Sequence, residues 1–366
     1  MDRGCLNCKG FMSKIRVRHK ENRALGKGLQ GHGLERPCHA NHSPPHAFPL
    51  ARSSRTRYRG AMTRLNQALA FVKPHAASNK AALDCIARTF AQAKIKVVHK
   101  LDLTGGQVRA SGAIDRHYAV NARVGTCANA AELFVGPEAR ARFLEAFHET
   151  WDAALQQGRI LSGLSAQQKL GITGEALNTL WAKQKAQKLA GGLYVIFLPE
   201  AKAYVMNGFY PSIRDLFTAP DAVMKIMVVE FDAAVLPWRA FRANVIGGTN
   251  PAAADPASIR GSLHAKQKET GLPITYRENV IHASASPFEA LVEKNLWVPA
   301  FPLERDPLWQ LLKPAGIPLD KVLRWRDENP AISLGGKLQP LVESLEDLDT
   351  DTLAARLLEL VKTGAL

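Results

Sequence analysis

Apolar residues enter this chain as a short unbroken run, Ala68-Leu69-Ala70-Phe71-Val72, closed by Lys73-Pro74. A run of that length ending at a proline predicts a buried strand followed by a turn. Asn79 then suits a helix N-cap, and Ala82, Ile86, Phe90 and Ala93 share one face of a helix reaching about Lys94. Ile95 to Leu103 alternates as a second strand, broken by Thr104-Gly105-Gly106. The three elements make a β-α-β unit. From 121 to about 200 the period changes to helical, with Phe143, Phe147, Trp151 and Leu155 on one stripe and Leu177, Leu180, Trp181 and Leu189 on another. Gly191-Gly192 introduces a strand over Leu193 to Leu198, with Ala203 to Met206 as its partner. A short helix over Phe209 to Phe217, a strand over Lys225 to Phe231 and a helix around Pro237 to Val245 follow. Amphipathic helices over 305–326 and 340–363 close the chain, the second facing inward with Leu341, Leu345, Leu348, Leu353, Leu357 and Leu360. Strands separated by helices, some of them adjacent, point to an α+β sandwich, and there is no internal repeat.

Residues 1–61 lack either period, and their composition reads as a disordered basic tail. Of the net charge of +15, these residues carry +10, with 13 Lys/Arg against 3 Asp/Glu. The body is therefore only mildly positive, which suits a phosphate ligand and does not by itself indicate a nucleic-acid binder. Nucleic acid would enter only through the tail. The tail also fits a targeting segment, but the favoured reading is an upstream extension without enzymatic consequence, before a start at Met62. Cys5 and Cys8 with Cys38, His39, His42 and His46 offer soft ligands for zinc, at a spacing that matches no familiar finger. No apolar run approaches the roughly 18 residues of a membrane span. Five cysteines, three of them in the tail, do not make a disulfide scaffold, so a reducing, cytoplasmic location is expected, or an organelle if the tail is a targeting segment.

The chemistry concentrates between Val245 and Glu293. Thr249-Asn250-Pro251 is followed by Pro256-Ala257-Ser258-Ile259-Arg260, then by Asn279-Val280-Ile281-His282-Ala283-Ser284-Ala285-Ser286, with Glu293 eleven residues after the histidine. A neutral imidazole has a lone pair with which to accept a phosphoryl group, and a carboxylate two turns into a following helix can fix the ring. Taken alone, a histidine after Val280-Ile281 is more often a hydrogen-bonded core residue.

Taken together, these blocks resemble the nucleoside diphosphate kinase family. The family's signature Asn-x-x-His-Gly-Ser-Asp-Ser is matched by Asn279 to Ser286, and its Thr-Asn-Pro and Pro-Gly-Thr-Ile-Arg segments by Thr249 to Pro251 and Pro256 to Arg260. Its first-strand Lys-Pro-Asp appears as Lys73-Pro74-His75, and its His-Tyr as His117-Tyr118. The resemblance implies a ferredoxin-like α/β sandwich with an antiparallel sheet over about 62–300, interrupted by a mainly helical insertion at about 121–200 and followed by a helical extension over 301–366. It implies transfer of the γ-phosphate of ATP or another nucleoside triphosphate to a nucleoside diphosphate through a phosphohistidine on His282. Lys73 and Tyr118 would approach the transferred group, Thr249 and Arg260 the β-phosphate side, and Asn279 a sugar hydroxyl. Ser284 and Glu293 would hold the imidazole. Mg²⁺ would ride on the nucleotide, with no dedicated metal cage.

The family's Gly after the histidine is Ala283, and its Asp is Ala285. The Arg expected six residues before Thr249 is Ala243, and its neighbour Arg242 would need a local register change to substitute. The stretch from Arg260 to Asn279 is longer than the family's. These departures leave open a nucleotide-binding module with weak or no turnover, and a monomer, a dimer or another homo-oligomer in place of the usual hexamer.

Overall fold

The computed structural model describes residues 64–366, so the basic tail with its candidate zinc ligands lies outside the described residues. Ten strands run in chain order: β1 Leu65–Val72, β2 Lys96–Thr104, β3 Ile160–Ser162, β4 Gln187–Ala190, β5 Leu193–Leu198, β6 Ala203–Met206, β7 Val223–Asp232, β8 Ile281–Ala283, β9 Ala331–Leu334 and β10 Lys337–Pro340. The main sheet has the order β2-β7-β1-β8, with every pair antiparallel. With the Lys80–Gln92 helix after β1 and the Ile259–Ala265 helix before β8, this is the ferredoxin-like β-α-β-β-α-β arrangement, as the resemblance implies.

β1 lies at the centre of the sheet, and all of its residues after Leu65 are buried. Its alternate side chains feed two cores. Ala68, Ala70 and Val72 pack with Met227, Val229 and Phe231 beneath Ile86 and Phe90 of the first helix and Ile259 and Leu263 of the second. Leu69 and Phe71 face the other way, onto Ile226, Val228, Ile114, Phe217 and Trp297. A strand buried on both faces reads as a continuous apolar run rather than an alternating one, which is the pattern of 68–72.

Between β2 and β7 the chain is largely helical and also builds a second sheet, ordered β3-β6-β5-β4, around cores of its own. β5 and β6 pair as expected, in antiparallel register, whereas Leu189, expected on a helical stripe, lies in β4. The three-residue β3, parallel to β6, is too short to show a period. After the Pro287–Trp297 helix the chain differs from expectation in three places, one of them the helix expected over 340–363, which is split into Leu341–Leu345 and Thr350–Lys362. The helix expected over 305–326 is split into Pro307–Leu312 and Leu319–Glu328 around Pro314 and Gly316, because proline cannot continue the ladder and Gly316 adopts φ +74°. Residues 331–340 form a β9–β10 hairpin turning at Gly335-Gly336, before the helices Leu341–Leu345 and Thr350–Lys362.

This C-terminal segment shares a core with the main fold, since Phe288 and Leu291 pack with Leu308, Leu312, Trp325, Leu345, Leu353 and Leu357. A polar tie crosses the same boundary. Fully buried Lys294 donates to Gln67 Oε1 and to Asp306 Oδ2, and Asp306 Oδ1 caps Trp309 N–H at 2.9 Å. Burial pushes the Lys294 ammonium pKa down, and Asp306 opposes that shift. Removing one partner leaves an uncompensated buried charge. Asp306→Ala is therefore expected to cost about 3–5 kcal/mol in urea unfolding; a loss below about 1 kcal/mol would show that the pair does not tie the extension to the sheet.

Candidate functional site

β8 is only three residues long, and what precedes it is strained. Val280 sits at φ +71°, and the Ile281 N–H donates to Asn279 O at 2.8 Å, closing a tight γ-turn around a fully buried β-branched residue. A valine in that region costs on the order of 1–3 kcal/mol and persists only where its surroundings impose it. Here Lys73 N–H donates to Val280 O at 2.8 Å, and β8 is zipped to β1 with Phe71 opposite His282. The turn delivers His282 onto the Phe71 ring, the two stacked with centroids 4.5 Å apart.

The His282 ring is held from the Pro287–Trp297 helix. Its Nε2 lies 3.1 Å from both oxygens of Glu293, while Ser284 Oγ accepts from Leu69 N–H and donates to Glu293 Oε2 at 2.6 Å. Burial alone would push the Glu293 carboxyl pKa up. The charge and hydrogen bond of His282, with His117 and the Ser284 hydroxyl, outweigh burial and hold the carboxyl well below its usual range. An ionised carboxylate only accepts, so the hydrogen-bond network assigns the imidazole proton to Nε2 and leaves Nδ1 with its lone pair. Nδ1 has no hydrogen-bond partner among the described residues, and the side chain is 20% exposed.

His117, which sequence reasoning passed over in favour of its neighbour, stands edge-on to His282 at 4.8 Å. Its Nδ1 accepts from Trp297 Nε1 at 3.3 Å and lies 3.6 Å from Glu293 Oε1. Burial pushes its pKa to about 3, so it is a neutral wall of the site. Its pairing with Tyr118 was visible in the sequence, but its contact with Glu293 depends on three elements distant along the chain. His117, His282 and Glu293 stand close enough to share a cation. Their facing atoms are instead committed to one another and to Ser284 and Trp297, which does not suit a resident metal. Tyr118 is half-buried against His117, and burial with the Glu293 charge raises its phenol to about 12, so it stays a neutral donor.

Two cations line the other side. Lys73 ends β1 and donates from Nζ to Arg277 O at 2.7 Å. Arg260, placed by the Ser258 N-cap, donates from Nη2 to Ile281 O at 2.6 Å and from Nη1 to Gly247 O at 2.9 Å. That approach needs Gly247, at φ +94°, where a Cβ would fall 2.4 Å from Ser258 Oγ. Burial and then Arg260 push the Lys73 pKa down to about 7, and burial and then Arg242 push Arg260 down to about 10. Both are nearly buried, and among the described residues neither forms an ion pair. Asn279 donates from Nδ2 to Thr249 O at 3.0 Å, and its buried Oδ1 has no partner among the described residues.

The structure thus gathers His282, Glu293, Ser284, Lys73, Arg260, Asn279 and Tyr118 around the β1–β8 edge. Thr249 contributes only its carbonyl contact with Asn279, and its side chain is exposed. Nearby aromatics are committed to packing: Tyr210 is fully buried with its hydroxyl on Asp115 at 2.7 Å, and half-buried Phe209 packs on Trp181. Chemically, the arrangement offers a nucleophilic nitrogen beside an anion hole and a spare hydroxyl acceptor.

No protein-family model matches the chain. A nucleoside diphosphate kinase of Staphylococcus saprophyticus is 32% identical over 135 residues, covering 35% of this chain and 78% of that protein. One from Staphylococcus aureus strain JH9 is 33% identical over 132 residues, covering 34% and 76%. A solved nucleoside diphosphate kinase structure from Pyrobaculum aerophilum covers 64% of this chain and 95% of its own at 19% identity, with a TM-score of 0.30 that lends it no weight.

A lysine depressed to about 7 is mostly neutral at pH 8 and regains its proton when an anion binds beside it. Pyrophosphate binding followed by calorimetry in Tris and HEPES is expected to show uptake approaching one proton at pH 8. Affinity should fall about tenfold per pH unit above 7. Lys73→Met should abolish the uptake. Uptake that survives this substitution, or none in the unsubstituted chain, would remove Lys73 from the anion site.

Proposed function

The chain belongs to the nucleoside diphosphate kinase family, and from that membership we propose that it transfers the γ-phosphoryl group of a nucleoside triphosphate to a nucleoside diphosphate by way of His282. The observation that carries this reading is the pairing of an imidazole held through Nε2 with two nearly buried cations that form no ion pair among the described residues. Such cations are costly to bury unless an anion joins them.

In the first half-reaction the His282 Nδ1 lone pair attacks the γ-phosphorus. The bond from that phosphorus to the β,γ-bridging oxygen breaks, and the nucleoside diphosphate leaves with the electron pair. The imidazole becomes cationic as the N–P bond forms, and Glu293, accepting from Nε2–H, stabilises that charge. In the second half-reaction a terminal oxygen of another nucleoside diphosphate attacks the same phosphorus, and the N–P electrons return to Nδ1. Lys73 and the neutral Tyr118 hydroxyl neutralise or bond the equatorial oxygens, and Arg260 neutralises the β-phosphate side, which is most of what phosphoryl transfer requires. The unpartnered Asn279 Oδ1 takes a ribose hydroxyl. Mg²⁺ carried by the nucleotide would supply further neutralisation of the phosphate oxygens.

A second reading, nucleotide binding without turnover, draws on Ala243 and Ala285, where the family has charged groups. One experiment separates the two. With γ-labelled ATP, the active enzyme should acquire an acid-labile, base-stable label that is absent from His282→Ala and passes to added GDP. Glu293→Gln should slow labelling by about 10²–10³-fold. ADP binding that survives His282→Ala, with no label on the unsubstituted chain, would establish the second reading instead.

A further inference from the structure

The segment between β2 and β7 reaches the anion site through a chain of hydrogen bonds. An ammonium has three N–H donors, and among the described residues Lys73 Nζ uses one of them, on Arg277 O at 2.7 Å. Where the ammonium points therefore depends on where the turn around Arg277 sits. That turn belongs to no helix or strand and closes on itself, with Glu278 N–H donating to Thr275 Oγ1 at 3.0 Å and Thr275 N–H to Glu278 O at 3.3 Å. Arg277 ties it to the rest of the molecule. Its carbonyl faces Lys73, while Nη1 donates to Glu175 Oε2 at 2.6 Å and to Ser212 Oγ at 3.2 Å.

Both acceptors are firmly mounted. Glu175 lies in the first turn of the Gly174–Ala182 helix, where the amide dipoles favour a carboxylate. That helix starts against the Tyr210–Thr218 helix, where Asp215 Oδ2 accepts from Gly174 N–H at 3.1 Å and from Gln167 Nε2 at 3.2 Å. A Cβ on Gly174 would fall 2.5 Å from Asp215 Oδ2 and 2.7 Å from Pro211 C, so the approach requires glycine. Ser212 is buried and donates its own proton to Phe209 O at 2.8 Å, which leaves its oxygen to accept from Arg277. The Glu175 side chain is 60% exposed, and an exposed ion pair contributes little to folding stability. Its consequence lies instead in where it holds the Arg277 carbonyl.

Arg260, Arg277 and Glu278 are the charges that face Lys73, with the imidazoles of His75 and His117 beside it. Burial pushes those imidazoles down to about 4 and about 3, so both are neutral. Glu175 is a negative charge bonded to this group, and as a charge alone it disfavours a phosphate. Field and position therefore act with opposite sign. Neutralising Glu175 strengthens anion binding if only its field matters, and weakens it if the carboxylate holds the turn in place.

We propose that the segment between β2 and β7 clamps the anion site, with Glu175 and Arg277 as positioning residues that hold the Lys73 ammonium. The inference rests on the anion-site reading above. The test is calorimetric titration of the full chain with pyrophosphate as a function of pH. At pH 6, where Lys73 is largely charged, Glu175→Gln should weaken binding about two- to fivefold, the range of an exposed ion pair. The pH above which affinity falls should also move upward, because a Lys73 released from Arg277 O gains water and returns toward its ordinary pKa. Arg277→Lys, which keeps a cation for Glu175, should stay close to the unsubstituted chain. Gly174→Ala, which displaces the helix without altering any charge, should reproduce both effects of Glu175→Gln. If Gly174→Ala does not fold, as judged by circular dichroism, Glu175→Gln carries the comparison. Equal or tighter pyrophosphate binding by Glu175→Gln overturns the proposal. Weaker binding with an unmoved pH profile overturns it too, since Lys73 would not be the group displaced. If the unsubstituted chain binds pyrophosphate with Lys73-dependent proton uptake and Glu175→Gln matches it, this inference alone fails. If the unsubstituted chain binds none, the anion-site reading fails with it.

Discussion

Glu293 is a buried carboxylate that stays ionised because an imidazole N–H and a serine hydroxyl donate into it from β8 and the loop after it. Those donors are obligatory, since a bare carboxylate in that position would protonate instead. The same bonds fix the ring's tautomer and direct the reactive lone pair away from the helix. Much of the surrounding structure serves this contact. The strained Val280 turn sets the height of His282, Phe71 gives the ring a face to lie on, and the Pro287–Trp297 helix carries Glu293 to the correct depth.

The cationic side of the site is costly in a complementary way. Lys73 and Arg260 are desolvated and repel one another; among the described residues their hydrogen bonds go to backbone carbonyls, and the Glu278 charge offsets only part of the Lys73 shift. A fold tolerates this where binding energy from an anion later offsets it, and the depressed lysine is the electrostatic record of that tension. β1 makes the arrangement possible, because it is central, buried on both faces and ends at Lys73. The segment between β2 and β7 and the C-terminal extension are grafted around this frame. The extension shares a core with the helix that carries Glu293.

Much of this was legible in the residues. The 68–72 run and the alternation after Ile95 marked two strands of the main sheet, because burial on both faces and burial on one face leave different periods. The Asn279 to Ser286 block pointed to His282 because signature residues at fixed spacing encode local geometry. Contacts between distant segments were not legible. His117 was visible beside Tyr118 but carried no role of its own, because only the fold brings it to Glu293. Phe241–Ile246 is wound as a π-turn that has no compositional mark, and nothing in Glu346-Asp347 signals that it reaches Arg242. The break at Pro314 and Gly316 was readable in principle, but apolar periodicity across it masked it.

If His282 carries the phosphoryl group, the nitrogen not held by Glu293 is the one that takes it. Incubating the ¹⁵N-histidine-labelled protein with ATP and recording the ³¹P–¹⁵N coupling of the phosphorylated form tests it most directly. Coupling to Nδ1 of His282 is expected, with Nε2 still protonated and bonded to Glu293. Coupling to Nε2, or a phosphoryl group on any other residue, would contradict it.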